Sequence, residues 1–442
     1  MKFGRTRTLA TGRRSLRFAF FVGACMATVA VGFAQTEQAP RAGEKAAPTG
    51  LALKARKALV VGAEGESFVD NALVLVKDGK IESVGPARTT VIPPGYEVID
   101  CGTRWIAPGF VDLHCHIAAG SLGDLNDTVY MTNPELHASA AVTPNLPALK
   151  LAVAGGVTTV LFIPGSGSNM GGQGILLKTG FTKFEDMRIR DPGSLKLAQA
   201  GNPERWAIGV GRSHMNWNTR NTFERGLAYA TMWERFEQGL GPKPERNIQW
   251  DIFRWLKAKK TQVSTHTQRY QVVLATLTMV RVGFGLDVYI DHGEWFGSKL
   301  AAYAEEIGVN AIIGPREVDV PSFSLDTDGA ILGIAASYQK NGHTKIGFNT
   351  DSPVVPQEEL SVQAAVAVRY GFDDSRQDSM RGLTYVPALT AGIAHRVGSL
   401  APGKDADLIV TTGDPLDPRS SVEIVFIEGR RVYDAAVEKR RW

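Results

Sequence analysis

Apolar positions follow two patterns along the chain. Near both ends they form short β-leaning runs, at 58–61, 72–76, 81–84 and 96–100, then at 407–410 and 422–432. Lys77-Asp-Gly-Lys80 carries a hairpin-turn signal between two of these runs, and Glu428-Gly429 breaks the last one. The two ends are expected to build one small β-sandwich, from 51–107 and 400–442. Across 108–399, strand and helix patterns alternate, which marks a parallel α/β arrangement. Strands are expected at 110–113, 156–163, 174–178, 195–197, 263–266, 286–291, 310–313 and 344–349. Helices are expected at 219–240, 245–260, 271–282, 299–307 and 331–339. Ile248, Ile252, Phe253 and Leu256 form one apolar stripe in the second of these. About eight strands alternating with helices predict an α/β fold, a (β/α)8 TIM-type barrel.

Composition agrees with a globular fold: of 442 residues, 44% are hydrophobic and 21% charged. Residues 1–34 stand apart. They hold six basic side chains and no acid, an apolar run from Phe18 to Phe33, and small residues suited to cleavage after Ala34. Their removal turns the formal charge of +4 into −2, which leaves no basic character to attract nucleic acid. Arg13-Arg14-Ser-Leu-Arg-Phe18 is similar to a twin-arginine signal, so export to a bacterial periplasm is expected. Val22-Gly-Ala-Cys25 offers a lipoprotein signal as the second choice. Residues 35–50 read as a linker, and no later apolar run is long enough to span a bilayer. Besides Cys25, only Cys101 and Cys115 occur, and Cys115 is read as a packed core thiol rather than half of a disulfide.

The candidate chemistry sits where apolar runs end. His114 and His116 close the run from Phe110, and side chains at i and i+2 share one face of a strand. Two imidazoles on one face suit a divalent metal, and equally a pair of hydrogen-bonded core histidines. Val263-Ser-Thr-His266, Val288-Tyr-Ile-Asp-His292 and Ile346-Gly-Phe-Asn-Thr-Asp351 end in the same way. On a barrel the C-terminal strand ends form the site, so His114, His116, His266, His292 and Asp351 are expected to converge there on metal. His137, His214, His343 and His395 fall in loops or helices, where solvated or local roles are expected. Gly165-Ser-Gly-Ser-Asn-Met-Gly-Gly-Gln-Gly174 lacks the ending of a nucleotide-binding loop and is read as a flexible rim of the substrate pocket. Arg316 is a candidate clamp for a substrate carboxylate, with a solvated loop arginine as the plain alternative. Most of the tryptophans at 206, 217, 233, 250 and 255 are expected to pack helices, with one or two at the substrate mouth.

The order His-X-His, His, His, Asp, with the lead-in Ile106-Ala-Pro-Gly-Phe-Val-Asp and the tail Val397-Gly-Ser-Leu-Ala-Pro-Gly-Lys-Asp-Ala-Asp-Leu-Ile, resembles the amidohydrolase superfamily. The likeness runs from about 51 to 433 and is strongest to imidazolonepropionase-like and prolidase-like enzymes. It implies an exported hydrolase that uses one or two divalent metals, zinc being expected, on a C–N bond of a small amide, cyclic amide or dipeptide. In binuclear members a carboxylated lysine at the end of strand four bridges the metals. Lys196 matches that place best and Lys178 is the rival, while a surface lysine is the plain reading of both. Asp351 would take a proton from metal-activated water and pass it to the leaving nitrogen. Two alternatives stay open. One is a mononuclear imidazolone-type hydrolase or deaminase using His114, His116, His266 and Asp351. The other is a non-catalytic periplasmic binding protein with a structural metal. A small-molecule substrate is implied, and a homo-oligomer is left open.

Overall fold

The computed structural model describes residues 48–439 apart from 63–67, 122–124, 127–129, 206–209 and 320–328. The proposed signal segment, most of the linker and Trp206 therefore lie outside the described residues. Five strands open the chain: β1 (Gly50–Leu59), β2 (Phe68–Lys77), β3 (Lys80–Pro86), β4 (Tyr96–Asp100) and β5 (Trp105–Pro108). Asp78 and Gly79 both adopt positive φ, 49° and 75°, the conformation that a two-residue hairpin needs to match strand twist.

The central strands follow in order. They are β6 (Phe110–Cys115), β7 (Val157–Phe162), β8 (Met170–Lys178), β9 (Arg188–Ala198), β10 (Gln262–His266), β11 (Ile290–His292) and β12 (Ala311–Ile313). A short pair, β13 (Val318–Asp319) and β14 (Leu332–Gly333), precedes β15 (Ile346–Phe348). The C-terminal strands β16 (Leu408–Thr411), β17 (Val422–Ile427) and β18 (Arg430–Asp434) complete an eight-stranded sheet with the first five. Its order is β18-β17-β16-β5-β1-β2-β3, with β4 beside β1. Strand β5, not foreseen in the sequence, joins the halves: it lies parallel to β1 and antiparallel to β16.

The central strands form a TIM-type barrel of mixed α/β structure. Strands β6 to β10 make one sheet and β11, β12 and β15 another. Bridges Val263↔Val288 and Thr267↔His292 link the sheets on one side, and Cys115↔Ser352 links them on the other. One expectation is corrected. The third stave, β8, runs antiparallel to both β7 and β9. Only the residues between Phe162 and Met170 connect it to β7, too few for the crossover that a parallel pair needs, about a dozen residues. The glycine-rich segment is corrected with it. Its second half is strand β8, and residues 164–170 are buried, so it is an interior hairpin and not a flexible rim.

Helix Arg212–Glu237 begins earlier than the sequence suggests. The next is reduced to Asp251–Lys257 behind a 3-10 turn, Ile248–Trp250, whose start is capped by the Asn247 side chain. That turn swings Ile248 out to solvent, while Ile252, Phe253 and Leu256 keep the buried stripe. Cys101 and Cys115 are buried free thiols. Among the described residues no helix is long and apolar enough to cross a membrane.

Candidate metal centre

Strand alternation sends His114 and His116 to one side of β6 and Cys115 to the other, where its thiol meets Gln357 at 3.4 Å. Each histidine is fixed through Nδ1. His114 Nδ1 donates to Asp291 Oδ2 at 2.7 Å, and His116 Nδ1 donates to the Ile163 carbonyl at 2.9 Å. These bonds place the proton on Nδ1 and leave a lone pair on each Nε2. The two Nε2 atoms stand 3.2 Å apart. Asp351 Oδ1 completes the group, 3.1 Å from one and 3.3 Å from the other. With both imidazoles neutral, three acceptors converge here, an arrangement that either a metal cation or a second proton on His114 relieves. Asp351 has φ 47°, an uncommon conformation for a non-glycine residue of the kind that clusters at active sites.

A second pair stands beside the first. His292 Nδ1 donates to the Gly314 carbonyl at 2.7 Å, so its Nε2 is also a lone pair, and it faces His266 Nδ1 at 2.9 Å. Gly314 is needed for this carbonyl to approach: φ is 124°, and a Cβ there would lie 2.3 Å from the Asn349 carbonyl. Lys196, on β9, is wholly buried, with Nζ 3.3 Å from His114 Nε2. Its charge acts on all four histidines.

Burial and charge set the protonation states. Desolvation pulls Lys196 below the usual lysine range, despite the opposing charges of Asp291 and Asp351. Desolvation likewise lowers His116, pushes His292 down to about 4 and takes His266 well below the ordinary value. His114 is the exception: burial opposes its charge, yet Asp291 and Asp351 outweigh burial and raise it to about 9. Asp351, although desolvated, is held well below the carboxylate range by His114 and His116.

The five strand-end residues are therefore brought together with Lys196, while Lys178 is not among them. Both lysines are buried, which rules out a surface role for either. Lys178 ends β8 at the opposite face of the barrel, bonded to Asp405 at 2.9 Å and Asp407 at 2.5 Å. Asp405 also binds Lys80 and Arg396, so this cluster ties the terminal sheet to the barrel. Arg316 is half-exposed, 3.8 Å from Glu294 and over the ring of Trp295. His214 and His395 are exposed and His137 half-exposed, whereas His343 is buried 3.1 Å from Glu305. Trp233 packs beneath Arg254 and Trp250 is buried, while Trp217 and Trp255 are exposed.

The supporting residues were missed in the sequence. Asp291 orients His114 and in turn receives Asn349 Nδ2 at 3.1 Å. Asp112 accepts from the His114 backbone at 3.0 Å, Thr350 Oγ1 at 2.6 Å and Gln357 at 3.1 Å, fixing the end of β6 against the segment that carries Asp351. Both acids lie inside apolar strands next to a singled-out histidine motif, a signal that could have been used. Metal-ligating histidines commonly donate their second N–H to a carboxylate or carbonyl, and His114, His116 and His292 make bonds of that kind.

A barrel with histidines, a carboxylate and a lysine at its strand ends defines a metal-dependent hydrolase. Residues 255–432 match the amidohydrolase family model. A solved amidohydrolase from Thermotoga maritima MSB8 is 30% identical, with a TM-score of 0.76 and coverage of 87% of this chain and 100% of that one. An imidazolonepropionase from Methylobacterium sp. strain 4-46 is 24% identical over 87% of this chain and 96% of its own length. A prolidase solved in complex with N-methylphosphonate-L-proline shares the fold at 18% identity and TM-score 0.57, covering 87% of this chain and 100% of that one. The chain also matches amidohydrolase tasK of Hapsidospora irregularis at 24% identity over 84% of this chain, spanning 40% of that protein's length. The chain belongs to the amidohydrolase superfamily, in its imidazolonepropionase- and prolidase-like branch. It is a metal-dependent hydrolase that acts on carbon–nitrogen bonds, which sets aside the non-catalytic alternative.

Proposed function

We propose that the protein hydrolyses the C–N bond of a small amide, cyclic amide or dipeptide, with His114, His116, His266, His292, Lys196 and Asp351 around the metal. The observation that carries this reading is the convergence of His114 Nε2, His116 Nε2 and Asp351 Oδ1 within 3.3 Å of one another. Nitrogen and oxygen donors in this number suit zinc. A divalent cation supplies Lewis acidity, which makes water nucleophilic near neutral pH and polarises a carbonyl. The Asp351 carboxylate, ionised in its histidine surroundings, accepts the proton of the attacking water. It then returns that proton to the leaving nitrogen, so that the amine departs neutral.

Lys196 is the proposed bridge between two metals, as a carbamate. Its lowered proton affinity supports this, since the neutral amine is the form that takes up carbon dioxide. The mononuclear reading also has support, because the His114, His116 and Asp351 group is complete without a lysine. Arg316, half-exposed two residues past Gly314, is the proposed contact for a substrate carboxylate.

Residues 1–34 are proposed to direct export to the periplasm. The eight-stranded terminal sheet is proposed as the β-sandwich domain, with boundaries at 51–107 and 400–442 around a barrel of 108–399. A screen of the zinc-loaded protein against dipeptides, acylated amino acids and cyclic amides, with metal counted per chain, tests the reaction. Turnover in one class with metal bound is expected. No turnover in any class would refute the reading.

A further inference from the structure

Beyond the candidate metal ligands, the turn after β11 and the segment after β12 bring together polar groups that the described residues satisfy only in part. Glu294, two residues past His292, is 2% exposed, and its Oε2 has no hydrogen-bond partner. Glu317, three residues past the carbonyl that holds His292, is 4% exposed, and neither of its carboxylate oxygens has a partner. Tyr338 is wholly buried, and its hydroxyl is likewise without a partner. That hydroxyl lies against the same turn, where a Cβ on Gly293 or Gly297 would meet it at 2.7 Å. The nearby cation is the Arg316 guanidinium, which is half-exposed and no closer than 3.8 Å to Glu294.

Glu317 is left without any hydrogen bond and Glu294 with only the Arg316 backbone and a distant guanidinium, so neither acid is matched by what surrounds it. Folding alone does not account for them, whereas a positively charged guest does. Glu294 lies two residues past His292, and Glu317 three past Gly314, whose carbonyl holds His292, which puts both acids beside the candidate metal centre.

We propose that Glu294, Glu317 and the Tyr338 hydroxyl form a subsite for the protonated amine or guanidinium group of the substrate. This rests on the hydrolase reading above and narrows its substrate class to amides or dipeptides that carry a cation. An ammonium or guanidinium brings several N–H donors and no acceptor, matching a pocket of acceptors. A neutral isostere leaves the carboxylates unpaired, and discrimination of this kind is worth about tenfold or more.

Calorimetry on the zinc-loaded full chain tests the proposal with two matched pairs of probes, L-arginine against L-citrulline and L-lysine against L-norleucine. The charged member of each pair is expected to bind at least about tenfold more tightly. Glu317→Gln, which keeps the shape and removes the acid that a cationic guest would ionise, is expected to bring that ratio towards one. Should Glu317→Gln fail to fold, Glu294→Gln carries the same expectation. Equal binding of arginine and citrulline by the wild type would overturn the proposal, and so would a preference that survives the substitution. Since binding is read without turnover, the two readings separate. A cation preference in a protein that cleaves no C–N substrate would leave the subsite and remove the proposed reaction. Hydrolysis of neutral and cationic substrates alike would do the opposite.

Discussion

Lys178 and Lys196 lie on neighbouring strands of the barrel, both buried, and face opposite ends of it. Lys196 pairs across β8 and β9 with Gly172, six residues before Lys178, which is about 20 Å of strand. Lys196→Ala is expected to abolish most activity and to lose one of two bound metals, as read by elemental analysis. Full activity with one metal per chain in the wild type would leave only the mononuclear reading. Lys178→Ala leaves Asp405 and Asp407 buried without their cation. It is expected to destabilise the fold by about 3–5 kcal/mol in denaturant titration, with any loss of activity following the loss of folded protein. Selective loss of metal in a stably folded Lys178→Ala protein would reverse the assignment.

Asp351→Asn is expected to lower kcat by about 10²–10⁴-fold, because an amide cannot accept the proton of the attacking water. The loss belongs in kcat rather than KM, since proton transfer occurs in the transition state. Kinetics and metal content measured on the same sample decide the matter. Full metal with near-normal kcat would reduce Asp351 to a turn residue.

Asp291 offers a test of the supporting residues. Asp291→Asn keeps the shape but weakens the hold on His114 Nδ1, so metal affinity is expected to fall by about 10–100-fold. Competition with a chelator of known affinity measures it. Unchanged affinity would mean that His114 is oriented without this bond.

The cluster at the other end of the barrel makes acid stability specific. Burial alone would raise Asp405, but Lys178, Lys80 and Arg396 outweigh it and hold its carboxyl at about 2. A carboxylate depressed in the folded state stabilises above its unfolded value near 4, and that contribution disappears as pH falls from about 4 to about 2. Loss of stability is therefore expected across that window in wild type. In a Lys178→Met variant Asp405 is less depressed, so stability is lower at neutral pH and less of it is lost across this window, as followed by denaturant titration at each pH. Superimposable acid curves would remove the cluster from the account.

Export predicts a mature chain that begins at Gln35, which N-terminal sequencing of the periplasmic protein would read. A start at lipidated Cys25 would favour the lipoprotein signal, and a cytoplasmic protein retaining Met1 would refute export.

The candidate ligand set was legible because each member closes an apolar run, and a strand end is a position that one-dimensional pattern can locate. His114, His116, His266, His292 and Asp351 all follow that rule. Lys196 was harder, since it lies two residues inside a strand longer than its apolar core suggests. The reversed direction of β8 left no trace, because an apolar run reads the same either way and only its pairing shows direction. Strand β5 was hidden for another reason. Its four residues continue almost directly into β6, so that two strands in two sheets look like one lead-in. Glu294 and Glu317 escaped notice because the burial of a carboxylate outside a periodic element leaves no pattern in the sequence.

The ammonium of Lys178 finds its carboxylates 227 and 229 residues later in the chain. A ribosome making this protein has therefore finished every stave of the barrel before either partner exists. Until residues 405 and 407 emerge, β8 carries a charge that has nowhere dry to go, and the ring is not complete in energy even when it is complete in sequence. Vectorial synthesis thus places the locking step at the end of translation, and a chain truncated before Asp405 should collect as an open, protease-sensitive form.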